Sequence, residues 1–139
     1  SSRAAAMLAK NADTRALLSA LFGTLENDIL PKTRDGVAAG NKIFGAALLR
    51  KSDYSLVLAE TNNETENPLW HGEVHCLKRF YEMPTDTRPA TSDLIFLSTH
   101  EPCSMCLSAI TCDDGHDCGI ARTGSGGVSG KGQINYRSI

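Results

Sequence analysis

The chain has 139 residues, of which 41% are hydrophobic and 22% are charged, and its formal net charge is -2 at pH 7. This length suits one domain with a single core, and the composition excludes a disordered chain or a membrane span. The slight negative charge excludes the strongly basic footprint that is typical of proteins binding long polyanions.

The first half of the chain predicts one long helix and then two strands. Apolar residues recur at helical spacing over 13–30, which indicates a core-packing helix with Asp13 as its N-cap. The apolar run Ile43–Leu49 predicts a buried strand, and Ser55–Ala59 predicts a second one. The polar residues Lys51–Tyr54 would then close a hairpin between them.

The second half predicts two helices on either side of a strand. Asn67-Pro68 is typical of a helix start, with Asn as N-cap and Pro in the first turn, and this helix would run to about Glu82. The apolar run Leu94–Leu97 predicts a third strand, and Pro102 precedes a short helix from Cys103 to about Ile110. This alternation of helices and strands predicts an α/β layered domain.

The composition changes after Ile110. Six of the twelve glycines fall between Gly119 and Gly132, and the hydrophobic periodicity of helices and strands is lost there. The one element that this part of the sequence suggests is a short strand at Gly119–Thr123. We therefore expect one domain over 1–139, with a core over about 13–111 and a Gly-rich, atypical tail over 112–139.

The cysteines and the beginning of the chain bear on location. An odd count of five cysteines favours a reducing compartment over a disulfide framework. The apolar stretch at Ala4–Met7 is too short for a secretory signal, and no run reaches the ~18 apolar residues of a membrane span. We expect a cytoplasmic protein that does not enter the membrane.

A split motif carries the chemistry: His71-Gly72-Glu73, followed by Pro102-Cys103-Ser104-Met105-Cys106. Catalytic zinc typically takes three protein ligands and keeps a fourth position open, and His71, Cys103 and Cys106 supply three. Cysteines three residues apart at a helix start lie on one side of it, where the helix dipole favours thiolates. We expect one Zn(II) per chain.

Glu73 is the expected proton carrier. It would take a proton from a metal-bound water as a base and later return protons to the substrate as an acid. Residues two apart on a regular helix point to nearly opposite sides, so His71 and Glu73 can share one site only near the helix start. The predicted start at Asn67-Pro68 is consistent with that requirement.

Simpler interpretations exist for each part of this motif. A lone Cys-x-x-Cys is as often half of a structural zinc site or a redox pair. Cys76 is expected to be a small core residue, and His75 and His100 are expected to have ordinary structural roles. The segment Cys112–Cys118 superficially resembles a second metal cluster, but its spacing fits no established template.

The combined pattern H-x-E and P-C-x-x-C resembles the signature of the zinc deaminases of the cytidine deaminase-like superfamily. Residues 99–110 resemble the "E-P-C-x-M-C-x-x-A-I" segment of guanine and tRNA adenosine deaminases, and residues 69–73 resemble the His-Gly-Glu variant of fungal cytosine deaminase. The resemblance covers about residues 17–110. It implies a three-layer α-β-α fold with a central mixed β-sheet, and commonly a homodimer or homotetramer.

The resemblance also implies a base pocket. Residues 41–48 are similar to the family's "N-x-P-F-G-A" strand, which makes Phe44, Ala46 and Ala47 candidates for substrate binding. The family's pocket asparagine best matches Asn62, with Asn63 as the second choice.

Three functions follow in order of preference. The first is a zinc-dependent hydrolytic deaminase of a small-molecule nucleobase or nucleoside. The second is a deaminase acting on a base in tRNA or single-stranded nucleic acid, which the acidic balance disfavours. The third is a non-catalytic, zinc-stabilised scaffold or partner subunit, which the intact Glu73 disfavours.

Overall fold

The computed structural model describes residues 2–111 together with the backbone of residues 135–138. The helices are α1 (Ser2–Thr24), α2 (Leu30–Ala38), α3 (Gly72–Tyr81) and α4 (Ser104–Thr111), with a π-helical turn at Leu25–Ile29 and a 3-10 turn at Thr91–Asp93. The strands are β1 (Gly45–Arg50), β2 (Leu56–Thr61), β3 (Leu94–Ser98) and β4 (Asn135–Ser138).

The strands form one sheet in the order β2-β1-β3-β4, and every neighbouring pair is antiparallel. The predicted α/β fold is confirmed, and so is the hairpin between β1 and β2. The expected mixed sheet is corrected for the described strands. β2 and β3 both run opposite to β1 and lie on either side of it, so strands that run in the same direction are never neighbours in this sheet.

Helices cover both faces of this sheet. Ala46 and Leu48 of β1 belong to a core cluster with Leu77 and Phe80 of α3 and Ile110 of α4. Ala47 and Leu49 belong to a second cluster on the opposite face, formed with Leu21 of α1, Ile29 of the π-turn and Leu97 of β3. Because side chains alternate along a strand, β1 divides its apolar residues between the two clusters and produces three layers.

The first helix differs from its prediction at both ends. Asp13 lies inside α1, where its carboxylate accepts a hydrogen bond from the Tyr54 hydroxyl at 2.7 Å, so its assignment as an N-cap is wrong. The helix also continues past Pro31. The Leu30 amide bonds the Leu25 carbonyl five residues back, and this wider turn precedes the residue that has no N–H to donate.

The third helix begins later than predicted. The Asn67 side chain accepts a hydrogen bond from the Leu69 amide at 2.9 Å, which forms a local turn in place of a helix start. His71 is the N-cap residue of α3, with φ -57° and ψ 157°, and Gly72 is its first helical residue. The predicted start at Asn67-Pro68 is therefore wrong.

The tail contributes one described element, β4, whose backbone pairs with β3. No strand was expected at this position. The proposed strand at Gly119–Thr123 and the Cys112–Cys118 segment lie outside the described residues. Among the described helices, none combines the length and the apolar character that crossing a membrane requires.

Candidate functional site

His71, Cys103 and Cys106 converge at the start of two helices. Their ligand atoms all lie within 4.8 Å of one another, and the His71 Nδ1 atom is 3.5 Å from the Cys103 sulfur and 3.6 Å from the Cys106 sulfur. The three residues predicted as metal ligands are thus brought together from positions 32 and 35 residues apart.

Local backbone structure explains this convergence. His71 precedes α3 in an extended conformation, which carries its ring away from the helix axis while its carbonyl accepts the first helical hydrogen bond from His75 at 2.8 Å. Cys103 stands directly before α4, and its carbonyl accepts a hydrogen bond from the Leu107 amide at 2.8 Å. The Cys103 sulfur also accepts the Cys106 amide at 3.5 Å, which turns both sulfurs to one side of α4.

This donor set fits a zinc ion. Two thiols and one imidazole are ligands that zinc prefers, and zinc bond lengths of about 2.3 Å to sulfur and 2.0–2.1 Å to nitrogen in a tetrahedron place such atoms about 3.6 Å apart. The nitrogen–sulfur distances of 3.5 and 3.6 Å match that spacing. Cys103 is exposed and Cys106 is buried, so the cluster opens to solvent on one side.

The ionisation of Cys106 depends on what it binds. Burial raises the pKa of the Cys106 thiol well above its ordinary value, and the nearby negative charge of Glu73 raises it further. Without a cation the thiol therefore keeps its proton. A divalent metal would displace that proton, as thiol ligands require.

Glu73 lies buried beside this cluster, in the first turn of α3, with only 5% of its surface exposed. The Ser98 hydroxyl at the end of β3 is 3.0 Å from the Glu73 Oε1 atom and 2.7 Å from the His100 carbonyl oxygen. Ser98 thus orients the carboxylate that the sequence nominated as proton carrier. Sequence reasoning missed this contact because Ser98 stood out only as the end of an apolar run.

Glu64 is the second residue that sequence reasoning missed. Its Oε1 atom is 3.2 Å from the His71 Nε2 atom, and its Oε2 atom is 2.7 Å from the Lys42 ammonium. The hydrogen bond from Lys42 is the main cause that lowers the pKa of Glu64 below its usual value. Glu64 belongs to the polar loop after β2, and no spacing rule links a loop carboxylate to a histidine seven residues later.

Asn62, the predicted pocket residue, is fully buried at the end of β2. Its Oδ1 atom accepts the backbone amides of Lys42 and Glu64, both at 3.2 Å, which determines the orientation of the side-chain amide. Its Nδ2 atom is buried and has no hydrogen-bond partner among the described residues. The second choice, Asn63, instead donates to Glu66 on the exposed loop.

The other predicted substrate residues divide into two groups. Phe44 is partly exposed and meets the His100 ring edge-on, with 4.7 Å between the ring centroids. Ala46 and Ala47 are 0% exposed and lie in the two core clusters on opposite faces of the sheet. Alternation along β1 directs them into those cores, and their contact with a substrate stays a prediction.

The remaining motif residues have structural contacts. Cys76 is fully buried in the core cluster, and burial raises the pKa of its thiol well above the ordinary range. His75 is buried, and its Nδ1 atom lies 2.8 Å from the Thr61 carbonyl oxygen. The His100 Nδ1 atom bonds the Thr99 hydroxyl at 2.8 Å.

Comparison with known proteins bears on this site. Residues 29–114, more than half of the chain, match the family model described as the cytidine and deoxycytidylate deaminase zinc-binding region. The comparison with curated proteins found no match. Among solved structures, a variant of NE0047 in complex with 8-azaguanine is similar, with 24% identity and a TM-score of 0.45. The alignment covers 59% of this chain and 48% of that one, so this chain matches about half the length of that protein.

Proposed function

Because the chain belongs to the cytidine and deoxycytidylate deaminase zinc-binding family, we propose that it is a zinc-dependent hydrolytic deaminase of a nucleobase or nucleoside. The reaction replaces the amino group of a cyclic amidine with oxygen and releases ammonia. One zinc ion per chain would be held by His71, Cys103 and Cys106.

The observation that carries this proposal is the buried carboxylate next to the three-ligand cluster. When bound in such a site, zinc acts as a Lewis acid and makes water more acidic. Glu73 is buried, is oriented by Ser98 and is close enough to Cys106 to raise the pKa of its thiol. Glu73 accepts the proton of the attacking water, then passes protons to the ring nitrogen and to the leaving amino group.

The free amide of Asn62 supports a nucleobase as substrate. Its Oδ1 atom already accepts hydrogen bonds from two backbone amides, whereas its Nδ2 atom has no hydrogen-bond partner at the distances found among the described residues. A buried donor without a partner costs free energy that a bound acceptor would recover. We propose that Asn62 donates to a carbonyl oxygen or ring nitrogen of the base, and that Phe44 lies beside it.

We also propose self-association into a homodimer or homotetramer. In the described part of the chain, α1 exposes large apolar side chains, which supports an interface between copies. Met7 is 62% exposed, Leu8 is 69% exposed and Phe22 is 54% exposed. Sedimentation of the full chain tests this, and a monomer at micromolar concentration would contradict it.

The decisive test is ammonia release from zinc-loaded protein incubated with cytosine, guanine, adenine and their nucleosides. We expect release from at least one of them, and no release after chelation or in Glu73→Gln. No release from any of them, with zinc bound, would contradict a small-molecule substrate. Activity on single-stranded RNA or DNA alone, with an affinity falling steeply as salt rises, would favour nucleic acid.

A further inference from the structure

The His71 ring has its two nitrogens in different environments. The Nδ1 atom faces the sulfurs of Cys103 and Cys106, and the Nε2 atom faces the Glu64 carboxylate at 3.2 Å. A neutral imidazole carries one N–H and one lone pair. Metal binding through Nδ1 therefore requires the proton on Nε2, where Glu64 is placed to accept it.

Glu64 is itself held in place from two directions. Its Oε2 atom is 2.7 Å from the Lys42 ammonium, and its backbone amide donates to the Asn62 Oδ1 atom at 3.2 Å. The Glu64 side chain is only 18% exposed, in contrast to the 61% exposed side chain of Lys42. The carboxylate thus has one oxygen for Lys42 and one for His71.

We infer that Glu64 is a positioning residue for the metal site: it accepts the Nε2–H of His71, holds the ring in the tautomer whose Nδ1 lone pair faces the two sulfurs, and is anchored by Lys42. This inference rests on the proposed ligand set. A carboxylate that accepts the second N–H of a ligating histidine orients the ring and raises its basicity, and removing such a partner typically costs about 10–100-fold in metal affinity.

Two other roles for Glu64 are a fourth metal ligand and a plain ion pair with Lys42. Its carboxylate approaches Nε2, the ring atom that points away from the sulfurs, and it is not part of the cluster of ligand atoms within 4.8 Å. It is therefore not a fourth metal ligand in this arrangement. A Glu64 that served only Lys42 would be a simple ion pair, and its removal would then leave zinc affinity unchanged.

The test is the zinc affinity of the full chain, measured by competition with a chromogenic chelator at constant pH. Glu64→Ala is expected to weaken zinc binding about 10–100-fold. Glu64→Gln, whose amide oxygen can still accept the Nε2–H, is expected to fall between Ala and the wild type. Glu66→Ala removes the same charge from the same loop without touching His71, and it should stay within about threefold of the wild type.

A second readout separates positioning from general loss of structure. In ¹⁵N spectra of the zinc-free protein, the His71 signals of the wild type should show the Nε2–H tautomer, and Glu64→Ala should shift toward the Nδ1–H form. Urea unfolding of the zinc-free variants identifies any that fold poorly, and for these Glu64→Gln provides the comparison. An unchanged tautomer with unchanged zinc affinity in Glu64→Ala would overturn the inference, as would an equal loss in Glu66→Ala.

His71→Ala distinguishes failure of this inference from failure of the proposed function. If His71→Ala loses tight zinc binding while Glu64→Ala keeps it, only the role of Glu64 is wrong. If His71→Ala keeps tight zinc binding, the proposed ligand set is wrong, and the inferred role of Glu64 is then wrong as well.

Discussion

Gly72 lies against the backbone of Phe44, so closely that a Cβ atom at Gly72 would stand 2.6 Å from the Phe44 carbonyl oxygen and 3.0 Å from the Gly45 Cα atom. This contact fixes the start of α3 on the start of β1. It sets the height of His71 and Glu73 above the sheet, because these residues flank Gly72.

Gly72→Ala is therefore expected to destabilise the protein by about 1–3 kcal/mol, the usual cost of forcing a group into a packed site. It should also weaken zinc binding, because the displaced helix start carries His71. Urea unfolding of the zinc-free protein and chelator competition measure the two effects. Gly23→Ala is the matched control, because a Cβ atom there would meet only the Asn27 side chain, at 3.9 Å. Replacing a helical Gly with Ala should raise the free energy of unfolding by about 0.5–1 kcal/mol. Unchanged stability of Gly72→Ala would show that α3 does not rest on β1 in this way.

Glu73→Gln is expected to bind zinc and fold like the wild type while losing ammonia release by about 10²–10⁴-fold, the range for general acid–base groups. The amide preserves the contact with Ser98 but cannot carry the proton. Glu66→Gln, on the exposed loop, should keep full activity. Deamination by Glu73→Gln at the wild-type rate would mean that another group moves the proton.

Cys103→Ala is expected to lose bound zinc and the stability that comes with it. At a free zinc concentration about 100 times Kd, a single site would stabilise the wild type by about 2.7 kcal/mol, and this increment should disappear in the variant. Cys76→Ala is the matched control, since Cys76 is buried in the core and separate from the metal cluster. It should lose about 1 kcal/mol of basal stability yet keep the full increment on adding zinc. Full zinc retention in Cys103→Ala would contradict the ligand set.

Asn62→Ala tests the pocket assignment. Its Oδ1 atom accepts hydrogen bonds from two backbone amides, and its Nδ2 atom has no partner among the described residues. The variant should therefore lose about 1–3 kcal/mol of stability and at least about tenfold in kcat/KM. Asn63→Ala, which touches only the exposed loop, should change neither quantity much. The reverse pattern would transfer the pocket role to Asn63.

Much of the site could be predicted from the sequence because its signals are local. Cys103 and Cys106 share one side of α4 by helical spacing alone, and the apolar runs around Leu48 and Phe96 identified two central strands to within two residues at their ends. The start of α3 could not be predicted, since the Asn67 side chain forms its own turn and a pattern does not reveal which of two local structures is more stable.

The sequence by itself determined which side chains are the candidate metal ligands, that the carboxylate of Glu73 accompanies them, and that the fold is a layered α/β domain. These follow from residue chemistry and from periodicity along the chain. Only the tertiary structure decided that Glu64 supports His71, that Ser98 orients Glu73 and that Ala46 and Ala47 are core residues. These relationships depend on how a loop folds back onto a helix start, on contacts between segments distant in sequence, or on which face of β1 packs against which helix. Such contacts come from packing the layers together, which no spacing along the chain encodes.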